Sequence, residues 1–277
     1  MRISLPTLGR AAGLPGRLGR PGARTPDAGS MGMAGRISLN PSSTALVLGG
    51  AALLLVLAST GGQLSRFLLG HGRLKGLVPL FYLGGERNVP TFFSVLLMLF
   101  IVLLLAAVAL LDGKARVPHA RKWAALAGGF LVMAYDEAFQ VHERLIGPMR
   151  SLLGDGDLGV FYFAWVIPGI ALVATLALFF LRFLLQLPAP TKPAFFVAGA
   201  LYVVGSVGME LLEGRHAEVH GLLNPTSVAL ATVEESLEMA ALVLFIWALL
   251  GYIADRHGEL QVRFEGGRAA SRPVERA

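Results

Sequence analysis

The run SVLLMLFIVLLLAAVALL, Ser94 to Leu111, places 18 residues in succession without one charge. About 20 helical residues cross a hydrocarbon core roughly 30 Å thick, and the run lacks the period-two alternation of a barrel strand. In lipid only helices and closed barrels satisfy their own backbone hydrogen bonds. The fold class is therefore an all-α integral membrane protein. Six runs qualify as spans: Thr44–Thr60, Thr91–Leu111, Trp123–Val141, Gly159–Leu185, Pro193–Glu213 and Ser227–Ala254. The count drops to five if the first, short one is a cleaved signal peptide. The composition agrees, with 55% hydrophobic and 15% charged residues and a mean hydropathy of +0.64.

Three regions follow. Residues 1–42 read as a disordered basic tail rich in Gly, Pro and Arg, 43–254 as the transmembrane domain, and 255–277 as a charged C-terminal tail. A net charge of +6 would point a soluble chain toward nucleic acid. Here the excess lies in tails and short loops, so nucleic acid is set aside and the charges read as topology signals. Arg2, Arg10, Arg17, Arg20, Arg24 and Arg36 precede span one, and Lys114, Arg116, Arg121 and Lys122 join spans two and three. Both groups predict a multi-pass cell-membrane protein with its termini in the cytoplasm. The loop from Gly61 to Pro90 opposes this with Arg66, Arg73, Lys75 and Arg87, and within it LVPLFYL reads as re-entrant or interfacial. The chain has no cysteine, which removes disulfides, thiolate metal sites and a thiol nucleophile.

The feature that points to function is AYDEAFQVHERL, Ala134 to Leu145, at the outer end of span three. Span five ends in GMELLEGRHAEVHG and span six begins SVALATVEESLEMA, so the topology brings three acidic stretches to one side of the membrane. Asp136, Glu137, Glu143, Glu210, Glu213, Glu234, Glu235 and Glu238 are eight of the chain's 18 acids. An ionised acid at a helix centre costs about 3 kcal/mol on the insertion scale, so eight would cost roughly 20 kcal/mol. Arg144 and Arg215 alone stand near them in sequence. Protons, bound cations or water must make up the difference.

At about 100° per residue, a continuous helix puts Asp136, Gln140 and Glu143 on one face of span three and turns His142 away. On span five, Glu213, His216 and His220 form an E-x-x-H-x-x-x-H stripe with Glu210 adjoining. E-x-x-H is also the two-ligand element of carboxylate-bridged dimetal sites in helical bundles. The expected ligands of a divalent ion, zinc or iron, are thus Asp136, Glu213, His216, His220 and Glu238. Glu143, Glu210 and Glu235 are candidates for the catalytic base or further ligands. Tyr162 and Trp165 suit an interfacial aromatic belt, and Pro168 with Gly169 would kink span four. Gly128, Gly129, Gly199, Gly205 and Gly208 would allow close helix approach.

Three function classes fit these residues. One is a metal-dependent membrane enzyme, a hydrolase or a di-iron-type oxidase, acting on a lipid-like or membrane-adjacent substrate. A second is a proton-coupled or divalent-cation transporter that uses the same acids. The third is an accessory or assembly subunit whose acids pair with a partner membrane subunit.

Overall fold

The computed structural model describes residues 36–115, 117, 119–154, 156–258 and 261–263. The predicted N-terminal tail up to residue 35 and the C-terminal tail from residue 264 lie outside the described residues. Two compact units are distinguished, residues 40–252 and a smaller one drawn from both ends of the chain. In the smaller unit, strand β1 (Arg36–Ser38) pairs antiparallel with β2 (Gln261–Arg263), Ile37 opposite Val262.

Two asparagines start the first two long helices. Asn40 accepts a hydrogen bond from the Ser43 amide at 3.1 Å and opens α1 (Pro41–Leu69). Asn88 does the same for Thr91 at 3.1 Å and opens α3 (Val89–Lys114). Each is followed by proline in the first turn, where the missing N–H costs nothing. The first predicted span thus runs nine residues beyond Thr60, stopping at Gly70 in the left-handed region (φ 73°). Helix α2 (Leu77–Phe81) occupies the segment predicted as re-entrant or interfacial and packs on α1, with Val78 buried against Gly62. The Leu83 amide donates to Ser59 Oγ at 3.0 Å and ties the following loop to the same helix.

Helix α4 (Ala120–Phe139) returns along α3, followed by the short α5 (Val141–Arg144) and α6 (Ile146–Leu153). Helix α7 (Val166–Leu185) comes next. Helix α8 (Thr191–Val203) continues through a π-helical segment, Val204–Met209, into α9 (Glu210–His220), and α10 (Pro225–His257) closes the chain. Among the described residues five helices are long and apolar enough to cross a membrane: α1, α3, α7, the continuous α8–α9 rod and α10. Helix α4, the third predicted span, is not among them, for its 20 residues include Arg121, Lys122, Asp136 and Glu137.

The proline of span four makes no kink. Helix α7 begins only at Val166, so Pro168 sits in its first turn, where proline is tolerated. Of the small residues expected to permit close packing, Gly205 does so: a Cβ there would lie 3.0 Å from Glu238 Cγ. Gly128, Gly129 and Gly199 face open space. Aromatic rings pack between α4, α7, α8 and α10. Trp123, buried near the start of α4, meets Phe183 edge-on at 4.9 Å and Tyr252 at 4.9 Å, while Phe245 stacks on Phe130 at 5.1 Å and lies 4.6 Å from Phe195.

Candidate functional site

Helix α4 ends abruptly. Gln140 adopts φ 54°, a left-handed conformation uncommon outside glycine, and the chain turns back so that Asp136 captures His142 twice. The His142 amide donates to Asp136 Oδ1 at 2.8 Å, and ring Nδ1 donates to Oδ2 at 2.8 Å. The expectation that His142 points away is therefore overturned, because the rotation of a continuous helix does not carry past Gln140. Gln140 itself donates to Glu86, in the loop before α3.

From this pair, contacts run to α9 and α10. The His142 ring lies 4.6 Å from that of Trp165, whose Nε1 donates to Glu210 Oε1 at 3.0 Å. Glu213 on α9 and Glu234 on α10 are near enough for their carboxyls to act on one another. Tyr202 on α8 and Glu235 are both within electrostatic reach of Glu238. Glu137 is within electrostatic reach of Glu238 and Glu86. All these acids except the exposed Glu86 are half-buried, and Glu143 on α5 is exposed. None forms a salt bridge with arginine or lysine; their ion pair is Asp136 with His142. One oxygen each of Glu210 and Glu213 is buried without a hydrogen-bond partner.

The groups outside the spans respond as their surroundings dictate. Burial by itself would lower the pKa of His142, but the hydrogen bond and charge of Asp136 outweigh it and hold the imidazole above its ordinary 6.5. Burial, then the neighbouring Glu86, raises the Glu143 carboxyl. The Tyr82 phenol is raised by burial and by Glu213 and Glu235, with Arg66 opposing.

The E-x-x-H-x-x-x-H stripe is helical up to His220, and Gly221 follows it as expected. Its histidines have other tasks, however. His216 Nε2 donates to Asn224 Oδ1 at 2.9 Å, and that oxygen also accepts from the Thr226 and Ser227 amides at the start of α10. His220 stacks on His216 at 4.6 Å. Asp136 and His216 thus each have a separate partner. Among the described residues no group of three or more His, Asp and Glu side chains is arranged to hold a metal ion.

Residues 45–252 match the model of a domain of unknown function, DUF8692. The chain belongs to this family. Comparison with curated proteins and with solved structures finds no match.

For this DUF8692 chain, sequence reasoning had missed Glu86, Trp165, Tyr202, Tyr82 and Asn224. Glu86 carries a legible signal as the sole acid of the loop from Gly61 to Pro90. Trp165 is read from sequence as a lipid-interface aromatic, whereas its indole N–H is spent on Glu210. Gly169 makes room for that ring, since a Cβ there would lie 2.8 Å from it.

Proposed function

We propose that the protein is a proton-coupled carrier of the cell membrane, with cytoplasmic termini, whose acids exchange protons for a cation. The observation that supports this reading is the nearness of the half-buried Glu213 and Glu234 carboxyls, since two neighbouring carboxyls away from water relieve their repulsion by taking up a proton. A cation entering between them would displace that proton. The contacts from Asp136 through His142 and Trp165 to Glu210 link carboxylates of α4 and α9. The lack of lysine or arginine partners keeps these acids available to protons and solute cations.

The test is flux in proteoliposomes loaded with a pH indicator. An imposed gradient of a cationic solute drives an internal pH change in the parent, and Glu234→Gln, which keeps the shape but cannot take up the proton, abolishes it without lowering the melting temperature by more than a few degrees. Absence of any pH change across inorganic and organic cations sinks the reading.

A second reading keeps one supporting observation. The stripe Glu213, His216 and His220 lies on one uninterrupted helix, as a metal-dependent membrane enzyme with a lipid-like substrate would use it. Each ligand would first have to leave its present partner. Elemental analysis separates the two: near-stoichiometric zinc or iron in the purified protein, lost in a Glu213→Ala, His216→Ala double variant, favours the enzyme over the carrier.

A further inference from the structure

The loop from Gly61 to Pro90 sets Arg66, Arg73, Lys75 and Arg87 on the side that the other basic segments predict to be external. Its first half is one folded turn. The amides of Gly70 and His71 both donate to the Ser65 carbonyl, the second at 3.2 Å, and bring the chain back over the last turn of α1. Gly72 thereby packs on the stem of Arg66, the place of its absent Cβ lying 3.7 Å from Arg66 Cγ. Arg73 is the next residue. Its carbonyl accepts from the Gly76 amide at 2.7 Å, which closes a loop around Leu74 and Lys75. Both of these hold left-handed angles, φ 36° and 55°, a conformation that persists in such residues only where the surroundings impose it.

Three cations are thus gathered at one end of α1 with no acid to answer them. No aspartate or glutamate occurs between Asp27 and Glu86, and Glu86 accepts from Gln140. Arg66, Arg73 and Lys75 are exposed, and among the described residues none of them forms a salt bridge. The apolar side chains beside them in the sequence are uncovered too. Leu69 is 67% exposed, and Leu74 and Leu77 are exposed in the turn and at the start of α2. Leu57, Leu64 and Leu68 form one exposed stripe along α1, the face that a spanning helix turns to lipid.

We infer that this turn docks an anionic phospholipid, its phosphate held by Arg66, Arg73 and Lys75 and its acyl chains lying along Leu57, Leu64 and Leu68. Charge complementarity gives the sign of the headgroup, and the leucine stripe, continuous with the lipid-facing surface of α1, gives its attachment to a bilayer. Arginine suits phosphate because its planar fork offers two parallel N–H donors. The basic residues that oppose the predicted topology then serve a headgroup rather than orient the chain. Such a site is independent of the carrier reading.

The test uses the full chain in nanodiscs of equal phosphatidylglycerol and phosphatidylcholine, with native mass spectrometry of the lipids that stay bound. Phosphatidylglycerol is expected to be retained about fivefold or more over phosphatidylcholine, a preference that shrinks as salt rises. Arg66→Gln, Arg73→Gln and Lys75→Gln together should bring that ratio to about one, since each cation near an anionic surface adds to the attraction. The charge-matched set Lys114→Gln, Arg121→Gln and Arg182→Gln, on exposed residues of α3, α4 and α7, should leave most of it. Should the triple variant fail to fold, the exposed Arg73→Gln alone should at least halve the ratio. No preference in the parent, a preference that survives the turn variants, or one lost equally in the charge-matched set overturns the docking site. Calorimetric binding of inorganic phosphate without retention of phosphatidylglycerol overturns it as well, and assigns the three cations to a free anion.

Discussion

A single histidine shows how much chemistry can turn on one backbone angle. The left-handed Gln140 lets Asp136 hold His142, and the imidazole is thereby kept charged above its ordinary range. A group whose pKa is raised by folding contributes in full below its unfolded value and is lost as pH rises through its folded one. The parent should therefore lose more thermal stability than a His142→Gln variant as pH is raised from about 6 to about 9. The difference should be about 1 kcal/mol, because both partners remain partly exposed and screened. Parallel melting curves for the two proteins would refute the pairing. This residue also marks where the sequence stops being legible. The acids of α4, α9 and α10 are readable as buried charges in apolar runs, but a helical wheel drawn past Phe139 sends His142 the wrong way, and nothing in the letters AFQVH announces a left-handed glutamine.

At the level of elements, the placement of the acids depends on close approaches by glycine. Gly205 lies in the π-helical segment and faces Glu238 Cγ at 3.0 Å and the Glu234 carbonyl at 3.3 Å from its would-be Cβ. Gly205→Ala should cost about 1–3 kcal/mol by overpacking and push α9 from α10, parting Glu213 from Glu234. Thermal melts and the flux assay should both report it, and a variant that matches the parent in both excludes the role. Gly169→Ala should displace Trp165 from Glu210, shifting indole emission with little change in the melting temperature; an unaltered spectrum would show that the ring tolerates the methyl. The π segment was not legible in LYVVGSVGME, since both helical forms suit those residues. It leaves the stripe of α9 out of step with α8 by about one residue, or roughly 100°. A relative lacking one residue here would turn the counterpart of Glu213 away from α10.

For the whole molecule, the absence of cysteine makes sidedness directly measurable. A single Ser151→Cys, on exposed α6 at the acidic end, should react with a membrane-impermeant maleimide added outside intact cells, whereas Lys192→Cys at the start of α8 should react only after lysis. The reverse pattern would invert the predicted orientation and leave the site unchanged. The fold class was readable because hydropathy suffices for it. The aromatic junction was not, for Trp123, Phe183, Phe195 and Phe245 are ordinary apolar letters until their rings meet. Those rings join four helices at one residue, and such a junction resists shear: any motion that separates α4 from α7, α8 or α10 must first part Trp123 from Phe183, Phe195 or Tyr252.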